Sequence, residues 1–213
     1  MSNYKTLVNI RFNQGDITLN QRLVGRYSQR QQQELAVGIC GIISVEWLSL
    51  LCFSGMSLCA AVERLSNDVK LKKQSIRNVV YHNEKIFSGN DRDFTELFDD
   101  IYNRFIYSNL HSNISNSNTL LDKVNLALRE SSYVVLVLHL RNGEEHMVAV
   151  GRSWGRTGIF DPNVGLINLS DNIAFYGFIL NEMFQYYDIN VVDVDILRRT
   201  PLIPAPHTVI RNN

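Results

Sequence analysis

The chain has no surplus of charge: 21 Lys and Arg balance 21 Asp and Glu over 213 residues, and no block of like sign stands out. That removes the electrostatic footprint of a nucleic-acid binder or of a protein that coats acidic lipid. Long hydrophobic runs are also missing. No stretch approaches the roughly 18 consecutive apolar residues of a membrane-spanning helix, so no integral membrane association is expected. The opening residues, MSNYKTLVNIRFNQGD, lack the apolar core of a secretory leader. Cysteine is scarce: Cys40, Cys52 and Cys59 make an odd number with no C-x-x-C pair. This excludes an even disulfide framework and a cysteine zinc site, and it favours a reducing compartment. There is no internal repeat, and GRSWGRTG lacks the strand–loop–helix setting of a phosphate loop. Three of the four prolines fall in the last 13 residues, PLIPAPHTVIRNN, which read as an irregular tail.

What is present is an ordinary globular composition, 45% apolar and 20% charged, in a length that suits one domain with a sizeable core. TLVNIRF and DITLNQRL, joined through NQGD, alternate enough to predict a short hairpin or extended arm. RYSQRQQQE is polar, a loop or a lead-in to a helix. The apolar run from Gly41 to Leu65 predicts a helix with a break at Gly55. NDVKLKKQSIRNVVYHNEKIF and RDFTELFDDIYNRFIYSNL read as two amphipathic helices, HSNISNSN as a loop, and TLLDKVNLALRE as a further helix. The pattern then changes to strands: YVVLVLHL, a turn at Asn142-Gly143, EEHMVAVGR and the strand region IFDPNVGLINL. A helix, NIAFYGFILNEMFQYY, and a last strand, INVVDVDIL, follow. Helices first and an antiparallel sheet second make an α+β chain.

One constellation carries chemistry. Cys40, between Gly38 and Gly41 in GICGIISVEWL, stands where a helix is predicted to begin, and there free N–H groups and the helix dipole favour a thiolate. Cys52 and Cys59 share a different helix face and read as core. His146 and Asp161 flank Ser153 and Trp154 symmetrically. A hairpin closed there puts them directly opposite, Cβ atoms roughly 4.5–5.5 Å apart, as a carboxylate that orients an imidazole requires. His139 pairs with His146 across the Asn142-Gly143 turn, but no carboxylate or cysteine at matching spacing completes a metal site. His82, His111 and His207 lie in polar surroundings and read as surface residues. The aromatics of FYGF and FQYY, at helical spacing, read as core.

These residues resemble a known family. GICGIISVEWL is similar to the G-x-C-x-x-x-S-x-x-W-[LI] nucleophile motif of the YopT/AvrPphB family of papain-like cysteine proteases. HMVAVG and IFDPNVG resemble its His strand and its Asp segment, in the same order. The resemblance spans roughly Gly38 to Gly165, carried by those three segments. It implies a papain-like fold with the Cys helix packed on the sheet, Cys40 as nucleophile, His146 as general acid and base, and Asp161 as the orienting carboxylate. Ser44 and Trp47 match the motif and read as packing residues behind the cysteine. Besides the Cys40 N–H, the family's oxyanion hole needs a side-chain donor just before the cysteine. Leu35 and Glu34 cannot serve, which leaves Gln33 as the nearest amide.

The resemblance further implies a thiol protease acting without cofactor or metal on a protein in a target cell. It implies secretion by a dedicated machine rather than a leader, and action in the target-cell cytoplasm as an effector or toxin, with a chaperone or immunity protein as a further partner. Residues 1–34 then read as an N-terminal arm for secretion or partner binding, 35–200 as the catalytic domain, and 201–213 as the tail. The same triad also suits a glutamine deamidase, a transglutaminase-like enzyme or a cell-wall peptide amidase, since all begin with a thioester. An inactive papain-like module kept for binding is the non-enzymatic alternative.

Overall fold

A β-branched run such as YVVLVLHL buries both faces, and a sheet built from such strands needs helices on each side. The computed structural model, which describes residues 2–87, 105–169 and 173–200, has that architecture. The strands are β1 (Ile10–Arg11), β2 (Phe105–Ile114), β3 (Tyr133–Leu140), β4 (Glu145–Ser153), β5 (Arg156–Asp161), β6 (Gly165–Leu169) and β7 (Ile189–Arg199). They form one antiparallel sheet in the order β1-β6-β5-β4-β3-β7-β2. The helices are α1 (Gly15–Thr18), α2 (Gln21–Val24), α3 (Gln29–Ser54), α4 (Leu58–Asn67), α5 (Val69–Phe87), α6 (Ser117–Glu130) and α7 (Ile173–Tyr187), with a 3-10 turn at Tyr4–Leu7. One core gathers Ile39, Trp47 and Leu48 of α3 and residues of α4 and α5 against Met147, Ala149 and Phe160 of the sheet. The other packs α6, α7 and Tyr4 on Leu138, Val148, Val150 and Ile159. The fold is α+β and papain-like, with the cysteine helix lying on the sheet that carries His146 and Asp161.

α3 starts earlier than expected. Ser28 accepts from the Gln31 N–H while Gln31 returns a bond to the Ser28 N–H, a capping box inside the polar RYSQRQQQE. Cys40 is therefore well inside the helix rather than at its first turn. The helix is bent, however: Gln29–Leu35 and Ile39–Ser54 diverge by 55°, and Cys40 stands at the start of the second arm. Gly55, left-handed at φ 60°, ends α3 where the sequence placed a break.

Two other expectations give way. TLVNIRF and DITLNQRL do not form a hairpin; Asn13 and Asn20 accept from the N–H groups of Gly15 and Arg22 and start short helical turns between them. FIYSNL and HSNI, read as helix end and loop, form β2, because pairing with β7 from Phe105 to Ile114 decides the conformation of an aromatic and β-branched stretch. The rest of the helix predicted at RDFTELFDDIYNR and the tail 201–213 lie outside the described residues. Nor is there a break at residue 34. β1 pairs with β6 and α3 runs through that boundary, so residues 2–34 are built into the domain rather than hung from it.

Candidate active site

The site is set by two hairpins whose loops differ from the expected ones in instructive ways. β4 and β5 close on a two-residue turn, Trp154-Gly155, with φ 53° and 73°, and Ser153 pairs with Arg156. The turn centre lies one residue later than expected, which moves the register by two. Two positions preserve the face. Asp161, the last residue of β5, thus falls diagonal to His146 rather than opposite it, within reach of a long side chain. The β3–β4 hairpin slips the other way. Arg141, Asn142 and Gly143 make a three-residue loop, so Leu138 pairs with His146 and His139 with Glu145. That one-residue slip sends His139 to the opposite face, where it bonds Glu145 and Asp193 at 3.0 Å each.

His146 Nε2 lies 2.9 Å from Asp161 Oδ1, and both residues are buried. The carboxylate fixes the tautomer: Nε2–H donates, leaving Nδ1 for another partner. Asp161 Oδ1 also accepts from the Asn163 N–H at 2.8 Å, and Oδ2 from the Tyr187 hydroxyl at 2.7 Å. Three donors make a fully buried carboxylate tenable where an unpaired one would not be. The Tyr187 ring also lies against the imidazole, centroids 4.8 Å apart.

Cys40 belongs to the core on the α3 side of the sheet, whereas alternation assigns His146 to the α7 side. His146 is the second residue of β4, near the end of that strand. Burial alone would pull the His146 imidazole's pKa down. The charge and hydrogen bond of Asp161, reinforced by those of Cys40, more than offset it and carry it up to about 10. The thiol thus lies within electrostatic reach of the imidazole, although among the described residues no sulfur–nitrogen hydrogen bond of strict geometry joins them. All three thiols are free. Cys40 is buried, while Cys52 and Cys59 are only half-buried at the core's margin, and burial pushes the Cys52 thiol up.

Ser44 and Trp47 fasten the cysteine helix to the sheet. Ser44 Oγ donates to the Met147 carbonyl at 3.2 Å, tying α3 to the residue beside His146. Trp47 stacks on Phe160, centroids 5.2 Å apart, and its Nε1–H donates to the Leu58 carbonyl. Its ring lies over Gly151, where an added Cβ would stand 2.6 Å from Leu51 and 2.8 Å from Trp47. Tryptophan and glycine of two separate motif segments thereby form one contact. The final glycine of IFDPNVG has a comparable reason: Gly165 has φ 124°, and a Cβ there would lie 2.0 Å from the Ile10 carbonyl of β1.

Gln33 does not join the group. It is exposed on the first arm of α3, two turns before Cys40, and among the described residues no hydrogen bond joins it to Cys40, His146 or Asp161; Gln32 donates to the Tyr27 carbonyl at 2.8 Å. Tyr187 is the neighbour of His146 and Asp161 that FQYY, at helical spacing, does not reveal. Among the described residues no group of three or more His, Cys, Asp or Glu is placed to hold a metal ion.

No family model matches the chain, and no curated protein does. Among solved structures it is similar to the Pseudomonas avirulence protein AvrPphB, with a TM-score of 0.58 at 17% identity, over 78% of this chain and 94% of that one. At that identity the likeness concerns the fold.

Proposed function

We propose that the chain is a cysteine peptidase in which Cys40, His146 and Asp161 act as a triad. The observation that carries this reading is the buried His146–Asp161 pair at 2.9 Å, with Cys40 acting on the same imidazole. Nδ1 takes the Cys40 proton, and the thiolate attacks the scissile carbonyl carbon. The imidazolium then protonates the leaving amine, and water, deprotonated by Nδ1, hydrolyses the thioester. Asp161 holds the tautomer and stabilises the imidazolium. The Cys40 N–H, at the start of the second arm of α3, is the oxyanion donor in this scheme.

The likeness in fold to an avirulence protein supports a setting in which the chain is secreted and acts on a protein of another cell, where a chaperone or immunity protein also has a place. The test is incubation of the chain and of Cys40→Ala with a proteome-derived peptide mixture, read by mass spectrometry. New chain ends that depend on Cys40 are expected. A gain of about one dalton at glutamine without cleavage would instead assign a deamidase, and no Cys40-dependent change would favour a binding module.

A further inference from the structure

Asp161 Oδ1 accepts two bonds, from His146 Nε2 at 2.9 Å and from the Asn163 N–H at 2.8 Å. The last side-chain torsion of an aspartate has broad, two-fold preferences, so donors on one oxygen do not by themselves fix the plane of the carboxylate. The Tyr187 hydroxyl, on Oδ2 at 2.7 Å, removes that freedom. With partners on both oxygens, any turn of the carboxylate breaks a bond to a charged group. The Tyr187 ring also lies against the His146 imidazole, centroids 4.8 Å apart and planes inclined by 34°. A phenylalanine would supply that ring contact; only the hydroxyl reaches Oδ2.

The backbone gives Tyr187 little room to move. It is the last residue of α7, and β7 begins at Ile189. The single residue between them, Asp188, turns the chain in the left-handed region at φ 49°. That link is tied to the loop leading into β4: the Arg141 N–H donates to the Asp188 carbonyl at 3.1 Å, and the two side chains form an ion pair at 3.2 Å. The helix end that carries Tyr187 is therefore fastened to the hairpin that carries His146.

We propose that Tyr187 is a positioning residue: its hydroxyl locks the Asp161 carboxylate in the orientation that holds His146 Nε2, and so keeps the imidazole aimed at Cys40. The catalytic meaning of this role rests on the triad reading, whereas the hold on the His146–Asp161 pair does not. Removing the hydroxyl has two effects of opposite sign. A carboxylate with one donor fewer attracts the imidazolium more strongly, while a carboxylate free to turn holds it in place less well. In a positioning role the second effect dominates.

Tyr187→Phe keeps the ring and removes the donor. The hold is read by proton NMR on the low-field resonance of the His146 Nε2–H, assigned by its loss in His146→Ala. Its exchange with water should speed about tenfold in Tyr187→Phe, as expected when one bond to a charged group no longer opposes local opening. Tyr186→Phe is the control: its ring packs on Tyr187 at 4.7 Å, and its exchange should match that of the native chain. Exchange no faster in Tyr187→Phe than in the native chain, or equally accelerated in Tyr186→Phe, would overturn the proposal. Iodoacetamide alkylation of Cys40 at pH 6 reads the consequence for the thiol, with a slowing of about threefold or more expected in Tyr187→Phe. A rate equal to the native one or faster would mean that electrostatics outweighs orientation and would also overturn it. Native alkylation that ignores His146→Ala would strike the triad reading instead, and the exchange measurement would still decide whether Tyr187 holds the pair.

Discussion

A histidine buried against a carboxylate changes the chain's response to pH. The folded His146 value, about 10, lies above the ordinary 6.5, so the pair's contribution to stability is complete below about pH 6.5 and is lost as pH rises through 10. Denaturant melts from pH 6 to 10 should therefore show native stability falling with a slope that His146→Ala lacks. Parallel curves would mean that the imidazolium is not held. At this scale Cys40, His146 and Asp161 can be picked out in the sequence as candidates because few residue types suit the proposed chemistry and each stands in a recognisable segment. Tyr187 is not legible. A tyrosine in FQYY looks like any other apolar helix residue.

Elements add a constraint that residue types do not contain. The two hairpins show how register decides which side chains can meet: one loop shifts pairing by two positions and keeps His146 and Asp161 on one face, the other shifts it by one and removes His139. Strand identities and the approximate turns are readable from alternation and Asn-Gly. The turn centres are not, because Trp154 adopts a positive φ that its type does not suggest, its indole anchored on the Gly55 carbonyl at 3.1 Å. The contact between α3 and β4 yields a prediction. Gly151→Ala forces a methyl into Trp47 and Leu51 and should destabilise the fold by about 1–3 kcal/mol in urea melts. A neutral result would show that the cysteine helix does not rest on that strand as described.

In the molecule as a whole, the sheet separates two cores, and the site occupies the rim where they meet. Cys40 comes from one layer, Tyr187 from the other, and His146 and Asp161 from the strands between. The α+β class follows from the order of helical and alternating segments. The incorporation of residues 2–34 into the fold does not, since polar, irregular sequence gives no sign of the pairing with β6 that seats them. An arrangement assembled from both layers has a catalytic consequence only if the Cys40 thiol is ionised by His146.

The pH dependence of alkylation at each cysteine, read by peptide mass spectrometry in the native chain and in His146→Ala, tests that claim most directly. Cys40 alone is expected to react rapidly near pH 6, ahead of the half-buried Cys52 and Cys59, and to lose this reactivity with His146. Cys40 reacting no faster than an ordinary thiol, or equally fast without the imidazole, would contradict it.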